Sequence, residues 1–154
     1  FICMFRPLYE WIASIRKKQY DLKWDKNIKH QCILRNIKWK TIIHLYNNYY
    51  SNYKHLIENY DNVICVNYYK LLDNARVKTY INKKIAPFPL TIKSNDNINT
   101  ILQHPAKKHG KSVKNANEAL LKKKLINKQL KNTNEKKIMD KIVNTSIIQY
   151  FTKQ

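Results

Sequence analysis

Glycine is almost missing from this chain: Gly110 is the single one in 154 residues. One glycine cannot build the turn whose bare backbone amides wrap a nucleotide's phosphates, so the chain holds neither a dinucleotide fingerprint nor a P-loop. With only four prolines as well, collagen-like and flexible-linker classes are excluded. No apolar run approaches the roughly 20 residues of a membrane span, and no leader pattern is visible. The three cysteines, Cys3, Cys32 and Cys65, show no C-x-x-C or Cys/His spacing, which argues against a zinc site or a disulfide framework. Cys3 and Cys65 lie in apolar runs and are expected to act as small buried hydrophobes. Acidic residues are scarce, 10 against 30 Lys and Arg, for a net charge of +20.

What is abundant is lysine, together with asparagine, isoleucine and tyrosine. That set is what A/T-rich codons supply, so the positive charge has two readings: compositional drift on a solvated surface, or attraction to a polyanion. Residues 1–105 carry 17 basic and 7 acidic side chains, and residues 106–154 carry 13 and 3. Each part nets +10, so the shorter C-terminal part is the denser in charge. The hydrophobic share of 44% is enough for one domain with a core.

Apolar spacing gives the elements. Residues 1–6 read as a buried strand, and Leu8, Trp11, Ile12 and Ile15 follow a helical period behind Pro7. Segment 21–38 is polar and reads as a loop with a short helix. Residues 39–60 form a long amphipathic helix with a stripe through Ile42, Ile43, Tyr46, Tyr49, Tyr50, Tyr53, Leu56 and Ile57. Asp61-Asn62 marks a turn, and VICVNY, 63–68, is a second buried strand. A third helix is expected over 71–85, loop over 91–116, and Lys/Asn-rich helices over 116–131 and 134–150. Strand, helix, long helix, strand, helix is the order of parallel βαβ units. Two strands alone make no stable sheet, so the expectation is the C-terminal part of an α/β domain over 1–105, its first strands upstream of Phe1, with 106–154 a basic helical tail continuing that domain.

In such sheets ligands bind beyond the carboxyl ends of the strands. Arg6 falls there, and its planar fork suits a phosphate. Ser14, two turns into the next helix, can return its hydroxyl to the same side. The competing reading is that Arg6 pairs with Glu10 while Ser14 faces solvent.

FRPLYEWIAS resembles the 3′-phosphate-binding segment of sulfotransferases that use 3′-phosphoadenosine-5′-phosphosulfate (PAPS). There an apolar strand ends in arginine, an acidic residue follows four positions later and a serine eight later, here Arg6, Glu10 and Ser14. The proline departs, standing directly after Arg6 instead of one residue further on. ENYDNVICVNYYKLLDN, 58–74, is similar to the family's later strand and its Tyr-acidic-acidic-Leu sequence. Tyr68 and Leu71 match, whereas Tyr69 and Lys70 replace the acidic pair. The resemblance covers about half the chain and implies a P-loop-NTPase-like three-layer α/β fold. It also implies sulfuryl transfer from PAPS to an acceptor hydroxyl or amine, with no metal, and with Arg6 and Ser14 on the 3′-phosphate and Tyr68 against the adenine. Tyr68 can equally be one packing tyrosine among eleven. The family's C-terminal basic loop ends in glycine, which points to Lys107, Lys108 and Gly110; in register, Lys136-Lys137 is the rival.

The resemblance leaves gaps. The phosphosulfate-gripping loop and the acceptor-activating base have no counterpart here, so the chain alone is expected to be inactive and no catalytic residue is assigned. The five histidines, His30, His44, His55, His104 and His109, are scattered with no adjacent nucleophile or carboxylate partner. One rival is a basic RNA- or polyanion-binding, ribosome-associated protein, in which YNNYYSNYK, 46–54, stacks on bases. The other is a different P-loop-type transferase or kinase. The compartment is not readable, the cytoplasm being favoured.

Overall fold

A computed structural model of the protein describes residues 1–72, 76–87, 121, 123–127, 129 and 133–153. The apolar opening forms strand β1, Ile2–Phe5, which ends where Arg6 and Pro7 stop the ladder. Pro7 caps helix α1, Leu8–Lys17, and its carbonyl accepts the Trp11 N–H at 2.9 Å. Leu8 and Ile12 are buried, as the helical period predicts.

Segment 21–38 differs from its expected loop and short helix. It contains an antiparallel hairpin of β2, Cys32–Leu34, and β3, Ile37–Trp39, with Lys23 bridged to Ile33 as a partial third strand. Arg35 and Asn36 have φ of 49° and 65°. A two-residue turn with both φ positive matches the right-handed twist of the strands it joins. Strands of three residues are too short for an alternating pattern to stand out, and the turn lacks the usual Asn-Gly.

Helix α2, Ile42–Asn59, starts at Thr41, whose hydroxyl accepts from the backbone of Ile43 and His44. It buries Ile42, Ile43, Leu45, Tyr46 and Tyr50, while Tyr49, expected on the stripe, lies 40% exposed at its edge. Strand β4, Ile64–Asn67, pairs in parallel with β1, from Ile2↔Ile64 to Phe5↔Asn67. The chain is therefore mixed α/β around a two-stranded parallel sheet, with the hairpin as a separate small sheet. Cys3 and Cys65 are ladder partners and buried free thiols, as their apolar runs predict. Burial pushes the Cys65 thiol up to about 11.

One face of the sheet is sealed by aromatic packing. Phe5 stacks on Phe151 with ring centroids 5.0 Å apart and meets Tyr50 edge-on at 5.2 Å. On the opposite face Ile2 and Met4 of β1 are exposed. After β4 the expected single helix is divided into a 3-10 turn, Lys70–Leu72, and helix α3, Val77–Ile85. Residues 123–127 are helical. The last expected helix is also divided, into α4, Asn134–Ile142, and α5, Thr145–Lys153.

Asn47 of α2 holds that break open. Its Nδ2 donates to the Ile142 carbonyl at 3.0 Å, and its Oδ1 accepts the Asn144 N–H at 3.0 Å. Asn144 in turn caps α5 by accepting from the Ser146 N–H at 3.1 Å. These contacts give partners to backbone groups that the two helix ends leave without intrahelical ones. Arg16 of α1 chelates Glu135 of α4 through two guanidinium nitrogens, and the Tyr9 hydroxyl donates to Asp140. Met139, Ile147 and Phe151 are thereby brought into one core with Phe5, Ile12 and Tyr46. Among the described residues no helix is long and apolar enough to cross a membrane.

Candidate functional site

Parallel pairing brings the carboxyl ends of β1 and β4 to one edge. The Tyr68 N–H donates to the Phe5 carbonyl at 3.0 Å, continuing the ladder one step beyond Phe5↔Asn67. Arg6 and Tyr68 thus become lateral neighbours although 61 residues separate them in sequence. The Arg6 guanidinium carbon lies 4.4 Å from the Tyr68 ring centroid. A planar cation over an aromatic face is held by charge and by stacking, yet keeps its N–H edges free for an anion.

The backbone of Arg6 is gripped from α2 by two tyrosines one helical turn apart. Its N–H donates to the Tyr50 hydroxyl at 3.0 Å, and its carbonyl accepts from the Tyr46 hydroxyl at 3.1 Å. Both rings are buried, and burial drives both phenols far above their usual range. The main chain leaving β1 is therefore fixed on both its polar atoms, which aims the arginine.

Beneath this cluster lies Glu10, only 4% exposed. Its Oε1 accepts from the Asn127 amide at 3.2 Å, whereas Oε2 is buried without a hydrogen-bond partner among the described residues. Burial raises the Glu10 carboxyl above its ordinary value, and the nearby Lys123 and Arg6 charges only partly oppose the rise. Among the described residues no carboxylate ion-pairs with Arg6, so the Arg6–Glu10 bridge read as an alternative does not form. Burial thus favours the neutral form of this acid, which weakens its hold on the guanidinium. Helical residues 123–127 add a second cation: Lys123 Nζ sits 4.1 Å from the centroid of Tyr69, whose ring meets Tyr68 edge-on at 5.2 Å.

The structure thus joins two of the sequence candidates, Arg6 and Tyr68. Ser14 is exposed on α1, one turn beyond Glu10, and is not hydrogen-bonded to Arg6. Lys108 and Gly110 lie outside the described residues, as do His104 and His109. Lys136, part of the rival basic pair, bonds Asp140 at 2.5 Å and lies over the Tyr9 ring. His44 bonds Thr41 at 2.8 Å, His55 bonds Asn59, and His30 bonds Asp25. His30 therefore does have a carboxylate partner, contrary to the sequence expectation, because the turn after Trp24 brings Asp25 back to it; none of the three histidines joins the cluster. Tyr46, Tyr50, Tyr69 and Lys123 were not singled out for this site from sequence. The i, i+4 tyrosine pair was visible, but what it grips lies 40 residues away or more. Among the described residues no group of three or more His, Cys, Asp or Glu is placed to hold a metal.

No family model, no curated protein and no solved structure matches the chain.

Proposed function

We propose that the edge formed by Arg6, Tyr68, Tyr69 and Lys123 binds a 3′-phosphorylated adenine nucleotide, and that the protein is sulfotransferase-like. In this reading the chain supplies the 3′-phosphate-binding part for sulfuryl transfer from PAPS to an acceptor hydroxyl or amine. The observation that carries it is the meeting of Arg6 with Tyr68. The two segments that resemble the family were recognised independently, far apart in sequence, and their key residues lie side by side at the carboxyl ends of parallel strands, where α/β sheets take ligands. The parallel pairing across a helical crossover also supports the finer assignment of a P-loop-like three-layer arrangement.

The residues present fit a phosphate and an aromatic base. Arg6 offers a fork that no carboxylate occupies among the described residues, Lys123 a second positive charge, and Tyr68 and Tyr69 offer rings against which a base can stack. Ser14 would add a hydroxyl to the phosphate once its rotamer turns toward the strand end. Bound there, the donor would bring an already activated sulfuryl group; the role of these side chains is to hold its far end and fix its orientation.

Isothermal calorimetry with adenosine 3′,5′-bisphosphate and with adenosine 5′-monophosphate tests this. The parent should prefer the bisphosphate, and Arg6→Ala should weaken that ligand by tens of fold, about 2 kcal/mol for a charge-assisted phosphate contact, without changing the melting temperature. Equal affinity for both nucleotides in the parent, or equal bisphosphate affinity in parent and variant, would overturn the proposal.

A further inference from the structure

At the other end of α1 lies a surface that the nucleotide site does not use. Lys23, Ile33 and Lys38 form one row across the hairpin: Lys23 exchanges both backbone hydrogen bonds with Ile33 at 2.9 Å, and Ile33 is the register partner of Lys38. Paired residues project from the same face of a sheet, so two lysines flank one half-buried isoleucine on the outward side. Lys26, Lys29, Arg35 and Lys40 are exposed around them. Between residues 22 and 40 the only carboxylate is Asp25, and it is taken by His30 at 2.5 Å. Among the described residues none of these six cations is ion-paired. A shallow groove beside the row is lined by Lys23, Trp24, Asp25, His30, Gln31 and Ile33; the Trp24 ring is largely buried, so the His30 ring and the Gln31 amide are the groups set next to the charge, with the Asp25 carboxylate held by His30.

We propose that this basic ribbon binds single-stranded nucleic acid, with its lysines on successive phosphates and the groove against sugar or base. Spacing favours a polymer over a small anion. Neighbouring strands lie about 4.8 Å apart, so Lys23 and Lys38 leave the backbone roughly 10 Å from each other. That arrangement spreads charge along a line instead of gathering it around one anion. Apolar content favours nucleic acid over a bilayer. A membrane-seated surface needs side chains to insert, and the row offers only Ile33, half-buried between lysines. The ribbon is also separate from the nucleotide edge. Trp24 lies under Arg16 in the last turn of α1, whereas Arg6 precedes its first turn, about 15 Å away along ten residues of helix.

Fluorescence anisotropy with a labelled oligouridine of about 20 nucleotides tests the proposal. In the parent, log affinity should fall linearly with log salt, with a slope near −2 to −3 for about four phosphate contacts. Lys23→Glu/Lys38→Glu should lose about tenfold or more in affinity at about 100 mM KCl and flatten the slope by about 1.4, two contacts at about 0.7 each. Lys137→Glu/Lys141→Glu, exposed on α4, makes the same change in net charge and should lose less than about threefold. The milder Lys23→Gln/Lys38→Gln guards against misfolding and should shift in the same direction. Equal losses in the ribbon and α4 variants would mean diffuse charge only and overturn the proposal. So would absence of binding by the parent, or ribbon-dependent binding to anionic vesicles with no ribbon effect on the oligonucleotide. These outcomes are read from the ribbon and α4 variants alone, all of which keep Arg6.

Discussion

Removing the Tyr50 hydroxyl is the most direct probe of how this fold aims Arg6. The Arg6 N–H is partly buried and donates to the Tyr50 oxygen at 3.0 Å, while the Tyr46 hydroxyl donates to the Arg6 carbonyl at 3.1 Å. Tyr50→Phe keeps the ring, including its edge-on contacts with Phe5 and Phe151, and deletes only the acceptor. A donor left unsatisfied away from water costs about 1–3 kcal/mol. Tyr46→Phe instead deprives a carbonyl of one donor, and carbonyls tolerate this better, so about 0.5–1.5 kcal/mol is expected. For a domain of this size each kcal/mol shifts the melting temperature by about 2–4 °C. Urea titration and thermal melting of both variants, with the double variant as a cycle, give the numbers. The order should be Tyr50→Phe worse than Tyr46→Phe, with the double variant non-additive because both hydroxyls serve the same residue. Bisphosphate affinity should drop with Tyr50→Phe although neither hydroxyl is proposed to touch the ligand. If Tyr50→Phe melts with the parent, the clamp does not exist as described and the aiming of Arg6 must be explained otherwise.

The same buried phenols give a pH prediction. Burial raises both pKa values, so above about pH 10 the unfolded chain loses protons that the folded chain keeps. Their contribution is fully present below about pH 10 and declines above it by about 1.4 kcal/mol per pH unit for each phenol; urea midpoints across that range should fall, less steeply in the Tyr46→Phe/Tyr50→Phe double variant, and a flat profile would contradict their burial. Phe151→Ala removes the ring stacked on Phe5 and should cost about 3–5 kcal/mol by urea titration. A loss below about 1 kcal/mol would show that α5 is not part of the core.

How much of this was legible beforehand depends on whether a signal is local. The opening strand, the first helix, the long helix and the second strand follow from runs and periods of apolar residues, and their boundaries agree within about three residues. The break between α4 and α5 had a signal that was passed over. Asn144 is followed by Thr145 and Ser146, a cap composition, but no glycine or proline marked the stop. The hairpin left almost none, since its strands are three residues long and Arg35 is an unusual choice for a positive φ. At the candidate site, Arg6 could be named from the end of an apolar strand, whereas Tyr68 was named only through the resemblance of segment 58–74 to a sulfotransferase segment. Glu10 could be named too, but not its burial, which depends on residues 123–127 lying over the first turn of α1.

Glu10 also bears on the proposed anion site. An acid four residues after an arginine is the ordinary spacing of a surface ion pair, worth about half a kcal/mol or less. Here the fold rejects that pairing. Arg6 turns to the Tyr68 ring, while Glu10 is buried with one oxygen on Asn127 and the other without a partner among the described residues. Leaving a polar oxygen unpaired costs about 1–3 kcal/mol, and nothing in the local helix demands it. The consequence is a guanidinium that no carboxylate bridges among the described residues, fixed at its backbone by two tyrosines and set at the edge of a parallel sheet. Under the proposed nucleotide reading this matters because an anion site requires a cation that its own carboxylates do not hold.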